Sequence, residues 1–134
     1  MRSNRVPTTP SSDPLCSTEH AAVHETIHTY LQGHAQSSSE LMRQAFLPSA
    51  HIEGNREGVF TSWDLRKYGE LFNGTPATDE ATRLRSIDWV DVAGDAAAAK
   101  ATLIHGSVTF TDYFVLVKVS GRWQISNKVY SAAR

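Results

Sequence analysis

The sequence lacks an excess of charge, a pair of cysteines and any long hydrophobic run. It contains 13 lysines and arginines against 14 aspartates and glutamates, and one cysteine among 134 residues. Balanced charge disfavours a nucleic-acid-binding protein, which normally carries a basic excess that displaces counterions from phosphates. One cysteine permits no intramolecular disulfide, and no stretch approaches the roughly 20 apolar residues of a membrane span. We therefore expect a cytoplasmic protein that binds neither nucleic acid nor membrane.

The first 17 residues differ in composition from the rest of the chain. Pro7, Pro10 and Pro14 lie there among serines and threonines, with no apolar core of a signal peptide. Such a segment buries too little apolar surface to offset the entropy cost of ordering. We predict a flexible tail over residues 1–17 and a single domain over residues 18–134.

Three helices are expected in the first half of that domain. Val23, Ile27 and Tyr30 recur at the spacing of one helix face. The first helix is predicted to run from Thr18 to a stop at Gly33, the second from a capping box at Ser37 to Pro48, and the third from its cap at 61–64 to Asn73–Gly74. Two short strands, 50–53 and 58–61, form a hairpin between the second and third helices.

After Pro76 the hydrophobic period changes to two, which is typical of strands. Four strands are predicted, at 83–92, 96–105, 107–119 and 123–131. The connections are too short for parallel crossovers, so these strands form an antiparallel meander. Helices followed by a long sheet indicate the α+β class.

The longest predicted strand is apolar on both of its faces. One face carries Phe110, Phe114 and Leu116, and the other carries Tyr113, Val115, Val117 and Val119. A sheet covered on one side only would have polar residues on its second side. We therefore expect a homodimer that packs through the convex face of the sheet.

The end of the chain resembles a known superfamily. Phe110-Thr111-Asp112-Tyr113-Phe114-Val115-Leu116-Val117-Lys118, followed by Ser120–Tyr130 (SGRWQISNKVY), is similar to the nuclear transport factor 2-like (NTF2-like) superfamily, especially its SnoaL-like, "putative lumazine-binding" branch. The resemblance covers about residues 18–133. It implies a cone-shaped, cystatin-like fold in which three N-terminal helices pack on a curved, mainly antiparallel sheet, with a pocket between them.

The implied pocket would bind a small, largely apolar or planar molecule, and no cofactor is expected. Its expected ligand-binding residues are Trp63, Tyr68, Phe72, Trp89 and His105. For the aromatic residues, ordinary core packing is the alternative.

A finer comparison with ketosteroid isomerase, a member of this superfamily, implies catalytic roles. Tyr30 and Asp112 fall where that enzyme has its oxyanion-hole tyrosine and aspartic acid, a carboxyl that an apolar site keeps neutral. The position of its general base is Gly54, which cannot accept a proton. His51, which we name as the substitute, and Glu53 lie close by, but both face away from Gly54 in a strand without a bulge. Alternatively, Asp112 accepts hydrogen bonds or pairs with Lys128 or an arginine while Tyr30 packs, although a strand lysine is expected to face solvent.

His24-Glu25-Thr26-Ile27-His28 matches the zinc-protease pattern H-E-x-x-H, with His34 at the spacing of a third ligand. However, Leu31 stands where that class needs a glycine, and His28 lies near the solvent boundary of the helix. No metal site is assigned. Three functions stay open: small-molecule binding, an isomerase or lyase acting next to a carbonyl through Tyr30 and Asp112, and a non-catalytic dimerisation module.

Overall fold

A computed structural model describes the backbone of residues 14–134 and the side chains of residues 18–134. The expected tail lies outside the described residues except at 14–17, which form the first turn of a helix instead. Proline is well suited to begin this helix at Pro14, because the first turn leaves its N–H groups without helical acceptors.

Residues 14–134 form three α-helices and six strands. They are α1 Pro14–Gln36, α2 Ser39–Ala45, β1 Phe46–Arg56, β2 Val59–Asp64, α3 Leu65–Gly69, a 3₁₀ turn at Glu80–Thr82, β3 Leu84–Ala93, β4 Ala96–His105, β5 Val108–Val119 and β6 Arg122–Ala133. The helices pack on one curved sheet in the order β2-β1-β6-β5-β4-β3. The predicted α+β class and the antiparallel meander β3–β6 are confirmed. The β1–β2 hairpin joins the same sheet because β1 pairs in parallel with β6.

The first helix continues past Gly33, so the predicted stop there is wrong. Gly33 is buried against α2, and a Cβ at this position would lie 3.0 Å from Cε of Met42. The glycine thus permits two helices to approach closely. Helix α1 ends at Gln36, Ser37 has a φ of 53°, and Ser38 caps α2 by accepting a hydrogen bond from the Leu41 N–H at 3.1 Å. The cap therefore lies one residue later than expected.

The third helix is shorter than predicted and ends at Gly69. The chain then turns back, and Asn73 forms an isolated bridge with Ser38 beside α2. In consequence Leu71 is 53% exposed, whereas Phe72 is half-buried.

The helix layer and the concave face of the sheet share one core. Its largest buried side chains are Tyr30, Phe46, Phe114, Ile27 and Met42. The opposite, convex face has no covering layer among the described residues. It exposes Trp89, Ile104, Tyr113, Val115, Val119 and Val129. The second apolar face expected for β5 is therefore present. No described helix has the length and hydropathy needed to span a membrane.

One carboxylate ties the beginning of α1 to the sheet. Glu19 accepts hydrogen bonds from Nζ of Lys118 at 2.5 Å and from Nε1 of Trp123 at 2.8 Å. These two bonds stabilise the charged form and hold the pKa of Glu19 below its ordinary value of 4.5. Helix α1 is thereby anchored to the last residues of β5 and the first residues of β6.

We expect Glu19→Gln to lower the free energy of unfolding at pH 7. A carboxyl whose pKa is lowered by folding adds stability above pH 4.5, and that contribution is lost as the pH falls through its folded-state pKa. The difference between wild type and Glu19→Gln should therefore shrink toward zero at acid pH in urea unfolding experiments. Asp91→Asn, at an exposed position of β3, is the control. A difference that is constant from pH 7 to pH 3 would contradict the role of the charge.

Candidate functional site

A cavity of about 210 Å³ lies between the concave face of the sheet and the helices. This is smaller than the roughly 300–1,000 Å³ of sites for drug-sized ligands, so a correspondingly small ligand fits. Its apolar and aromatic lining consists of Trp63, Leu71, Phe72, Leu103, Phe110 and Tyr130. Its hydrogen-bonding and charged lining consists of Tyr30, His34, Arg56, Tyr68, Arg83, His105, Asp112 and Lys128.

Lys128 lies at the floor of this cavity and is 4% exposed, so the expectation that it faces solvent is wrong. The cause is a bulge in β6. Asn127 pairs with Val115 while Ile125 pairs with the next residue, Leu116, which leaves Ser126 unpaired. An extra residue in one strand reverses which side chains face inward. Beyond the bulge, Lys128 therefore points to the concave face.

The buried ammonium is held by two tyrosines and a carboxylate. Nζ of Lys128 donates to the hydroxyl oxygens of Tyr30 at 2.8 Å and Tyr68 at 3.1 Å, and lies 3.7 Å from Oδ2 of Asp112. Tyr30 donates its own hydroxyl proton to Oδ2 of Asp112. The ammonium also lies 4.9 Å from the ring centroids of Tyr30 and Tyr68 and 5.4 Å from that of Tyr130. Hydrogen bonds, an ion pair and aromatic faces together replace its hydration.

The protonation states of this cluster follow from burial and from the Asp112 charge. Burial opposes the ammonium form of Lys128, but the carboxylate of Asp112 and the neighbouring Tyr68 outweigh it, so the pKa of Lys128 is raised. Burial, followed by the Asp112 charge, raises the pKa of Tyr30 well above 10. At neutral pH Lys128 is therefore a cation and Tyr30 keeps its proton.

His34 completes the cluster from α1. Its Nε2 lies 3.0 Å from the Tyr30 hydroxyl and 3.2 Å from the Tyr68 hydroxyl. Burial first, and then the charge of Lys128, lower the pKa of His34 well below 6.5, so its ring is neutral. Because Tyr30 gives its only proton to Asp112, its hydrogen bond with His34 requires the proton on Nε2. In that tautomer Tyr68 accepts from Lys128, and its own proton is available to a ligand.

A second polar wall comes from the β3–β4 side of the cavity. Nη1 of Arg83 lies 3.2 Å from Nδ1 of His105. A guanidinium only donates, so Nδ1 accepts and the neutral ring carries its proton on Nε2. This Nε2 is buried and has no hydrogen-bond partner among the described residues. Burial, then the charges of Arg83 and Arg85, lower the pKa of His105 to about 4.

Six of the eight residues proposed from the sequence line the cavity. They are Tyr30, Trp63, Tyr68, Phe72, His105 and Asp112. Tyr30 and Asp112 meet as expected, but the hydroxyl of the tyrosine is bonded to the carboxylate rather than directed at the open cavity.

His51 and Trp89 do not line the cavity. In β1 the inward residues are Ala50, Ile52 and Gly54, so His51 is exposed on the other face. In β3 a register shift between Ile87 and Trp89 turns the indole outward, where it is 45% exposed.

Packing requires glycine at position 54, where the resemblance to ketosteroid isomerase led us to expect a base. A Cβ at this position would lie 2.6 Å from the carbonyl oxygen of Tyr130 and 2.8 Å from its ring. The Tyr130 hydroxyl is itself held at 2.8 Å by Oγ1 of Thr61, which also donates to the Gly54 carbonyl. The ring of Tyr130 thus fills the space that an acidic side chain would need.

The three histidines of the zinc-protease pattern lie in two different environments. His24 and His28 are exposed, whereas His34 belongs to the buried cluster. The described residues contain no group of three side chains placed to hold a metal ion. In the sequence His34 stood out only at the spacing of a third metal ligand, although its position one helical turn after Tyr30 places both residues on one face.

We expect Lys128→Met to destabilise the fold by about 3–5 kcal/mol, because it leaves the buried Asp112 carboxylate without its counter-charge. The double variant Lys128→Met/Asp112→Asn should recover much of that loss, since no unpaired charge remains. Urea unfolding of both single variants and the double variant measures this coupling. Additive losses in the double variant would contradict the pairing.

Comparison with known proteins agrees with this architecture. The model of the family described as "Putative lumazine-binding" matches residues 18–131. "Aldolase FrzH" from Cladobotryum sp is 24% identical over 119 residues, which cover 87% of this chain and 93% of that protein.

Two solved structures illustrate the fold. An NTF2-like protein of unknown function from Shewanella baltica OS155 has a TM-score of 0.79 and 26% identity, covering 88% of this chain and 96% of that one. A ketosteroid isomerase-like protein from Erwinia carotovora atroseptica SCRI1043 has a TM-score of 0.65 and 14% identity, covering 87% and 97%. The chain therefore belongs to the "putative lumazine-binding" family of the NTF2-like superfamily.

Proposed function

We propose that the protein binds a small, largely apolar or planar carbonyl compound, with the carbonyl oxygen accepting a hydrogen bond from Tyr68. The observation that carries this proposal is the 3.1 Å contact from Nζ of Lys128 to the Tyr68 hydroxyl at the cavity floor. A hydroxyl that accepts from an ammonium becomes a stronger donor through its remaining proton. This places a polarised donor where a ligand oxygen would lie.

The remaining lining favours a flat ligand. Trp63 stacks on Tyr68 with ring centroids 6.0 Å apart and an interplanar angle of 28°. Phe72 and Phe110 supply further aromatic surface. Such surfaces bind planar rings through dispersion and offset stacking. A lumazine, a planar heteroaromatic dione, agrees in chemical class with this ligand and with the family description.

The experiment compares two planar compounds of equal shape, acetophenone and α-methylstyrene, which carries a methylene group in place of the carbonyl oxygen. Isothermal titration calorimetry should give about tenfold tighter binding of acetophenone, the equivalent of one good hydrogen bond. Tyr68→Phe should abolish this preference while α-methylstyrene binds as before. Tyr113→Phe, on the convex face, is the matched control. Equal binding of the two compounds by wild type would refute the proposal.

The second candidate function is an isomerase or lyase that works through an enolate. The donors that hold a carbonyl oxygen also stabilise the negative charge that develops on it when a base in the solvent takes the proton of a neighbouring C–H bond. Aldol reactions proceed through this intermediate, and one relative is named an aldolase. The oxyanion donor would then be Tyr68, with Tyr30 and Asp112 positioning Lys128 behind it.

Catalysis of this kind is measurable without the natural substrate. In deuterium oxide, the methyl protons of acetophenone exchange with solvent through the enolate, and proton NMR follows their loss. An enzyme of this class should accelerate exchange, and Tyr68→Phe should reduce the acceleration about 10- to 100-fold. Binding without accelerated exchange would leave the protein a binding module and reject the enzyme.

We also propose that two copies pair through the convex face of the sheet. Tyr113, Val115 and Val129 are 48%, 51% and 47% exposed and lie on neighbouring strands β5 and β6. Contiguous apolar surface of this kind on a sheet favours association with a matching surface.

Light scattering at micromolar concentration should give the mass of a dimer for wild type and of a monomer for Val115→Lys. Val59→Lys, at the hairpin tip where the valine is 64% exposed, should leave the dimer intact. A monomeric wild type would exclude the pairing.

A further inference from the structure

We propose that Arg56 binds a carboxylate of the ligand, so that the compound accepted by the cavity is a small planar acid. This inference deepens the proposed function, on which it rests for the placement of the carbonyl group. Its starting point is the charge of the cavity lining, which contains three permanent cations, Arg56, Arg83 and Lys128, against one carboxylate, Asp112.

Two of these cations are neutralised within the protein. Lys128 is paired with Asp112, and Nε of Arg83 lies 2.9 Å from Oδ1 of Asp79. Arg56 is different, since no carboxylate of the described residues lies within the 4.0 Å of an ion pair. The lining therefore has a positive charge in excess, and this charge is on an exposed side chain.

The position of Arg56 suits it to bind an acid. Its guanidinium carbon lies 5.5 Å from the ring centroid of Trp63. A guanidinium that packs on an aromatic ring is held in position while its N–H groups, which lie in its own plane, stay free for a bidentate contact with a carboxylate. Trp63 in turn stacks on Tyr68, whose hydroxyl contacts Lys128. One wall thus connects the free arginine to the proposed carbonyl site.

A second donor lies three strands away across the sheet. Arg56 belongs to β1 and His105 to β4, with β6 and β5 between them. The Nε2–H group of the neutral His105 ring is buried without a hydrogen-bond partner among the described residues, which costs free energy unless a ligand oxygen accepts from it. An oxygen of a planar acid that reaches this imidazole would accept its proton, whereas a hydrocarbon would leave it without a partner.

The test uses benzoylformate and its neutral primary amide, which have the same shape. Neither has a C–H bond next to its ketone, so neither can form an enolate and only binding is measured. Calorimetry in 20 mM salt should give at least about tenfold tighter binding of the acid, and 200 mM salt should reduce this preference because the site is exposed.

Arg56→Gln should reduce the preference for the acid to nearly one, whereas Arg56→Lys should retain part of it. Arg66→Gln is the matched control, since Arg66 is also exposed but lies on α3 outside the lining. The conservative lysine variant separates loss of charge from loss of packing on Trp63.

The inference is overturned if wild type binds acid and amide equally, if Arg56→Gln keeps the preference, or if benzoylformate does not bind at millimolar concentration. These results are distinct from failure of the proposed function, which is decided by acetophenone and Tyr68→Phe. A preference for the acid together with equal binding of acetophenone and α-methylstyrene would support Arg56 and reject the carbonyl site.

Discussion

The buried ion pair of Lys128 and Asp112 is the constraint on which the rest of the cavity depends. Removing an ammonium and a carboxylate from water costs several kcal/mol for each ion unless other groups replace the solvent. Here the Tyr30 hydroxyl bridges the two charges, and Tyr68 supplies a second oxygen to the ammonium. The helices must therefore deliver two tyrosines to one point above the sheet.

That requirement connects elements far apart in the chain. Tyr30 comes from α1, Tyr68 from α3, and Asp112 and Lys128 from adjacent strands β5 and β6. The anchor at Glu19 fixes one end of α1 against β5 and β6, and the close approach at Gly33 fixes the other end against α2. The cavity is consequently held by packing at both ends of its longest helix rather than by contacts at the cavity alone.

Local patterns were enough to predict the fold class and most of the strands. The period-two alternation in β5, with Asp112 and Phe114 on one face and Tyr113 on the other, is visible in the sequence and preserved in the structure. The failures occur where one residue changes the phase of a strand. The bulge at Ser126 turns Lys128 inward, and the register shift before Trp89 turns that side chain outward. Such shifts depend on pairing with a neighbouring strand, which hydrophobic periodicity does not encode.

The candidate site, too, was predictable where local patterns decide and unpredictable where strand pairing decides. Tyr30 and Asp112 were predicted to act together, and they meet. Pairing of Asp112 with Lys128 was foreseen as an alternative, and it is present, but the burial of that lysine depends on the bulge. His34 was within reach of sequence reasoning, because it follows Tyr30 by one turn of the same helix. His51 was predicted as a site residue but lies outside the cavity, because its neighbours Ala50 and Ile52 occupy the inward positions of β1.

The close approach of Gly54 to Tyr130 restricts which substitutions this site can accept. The ring of Tyr130 fills the volume in which a carboxylate at position 54 would have to fit, so the two positions are not independent. A proton-accepting side chain at 54 becomes tolerable only after the ring at 130 has been reduced in size and the Tyr130 carbonyl oxygen, 2.6 Å from the Cβ position, has moved away. Loss of that ring also removes one aromatic face from Lys128 and the hydroxyl partner of Thr61. The substitution at position 130 must therefore precede the introduction of a base at position 54. The intermediate variant holds Lys128 less well than the present protein does.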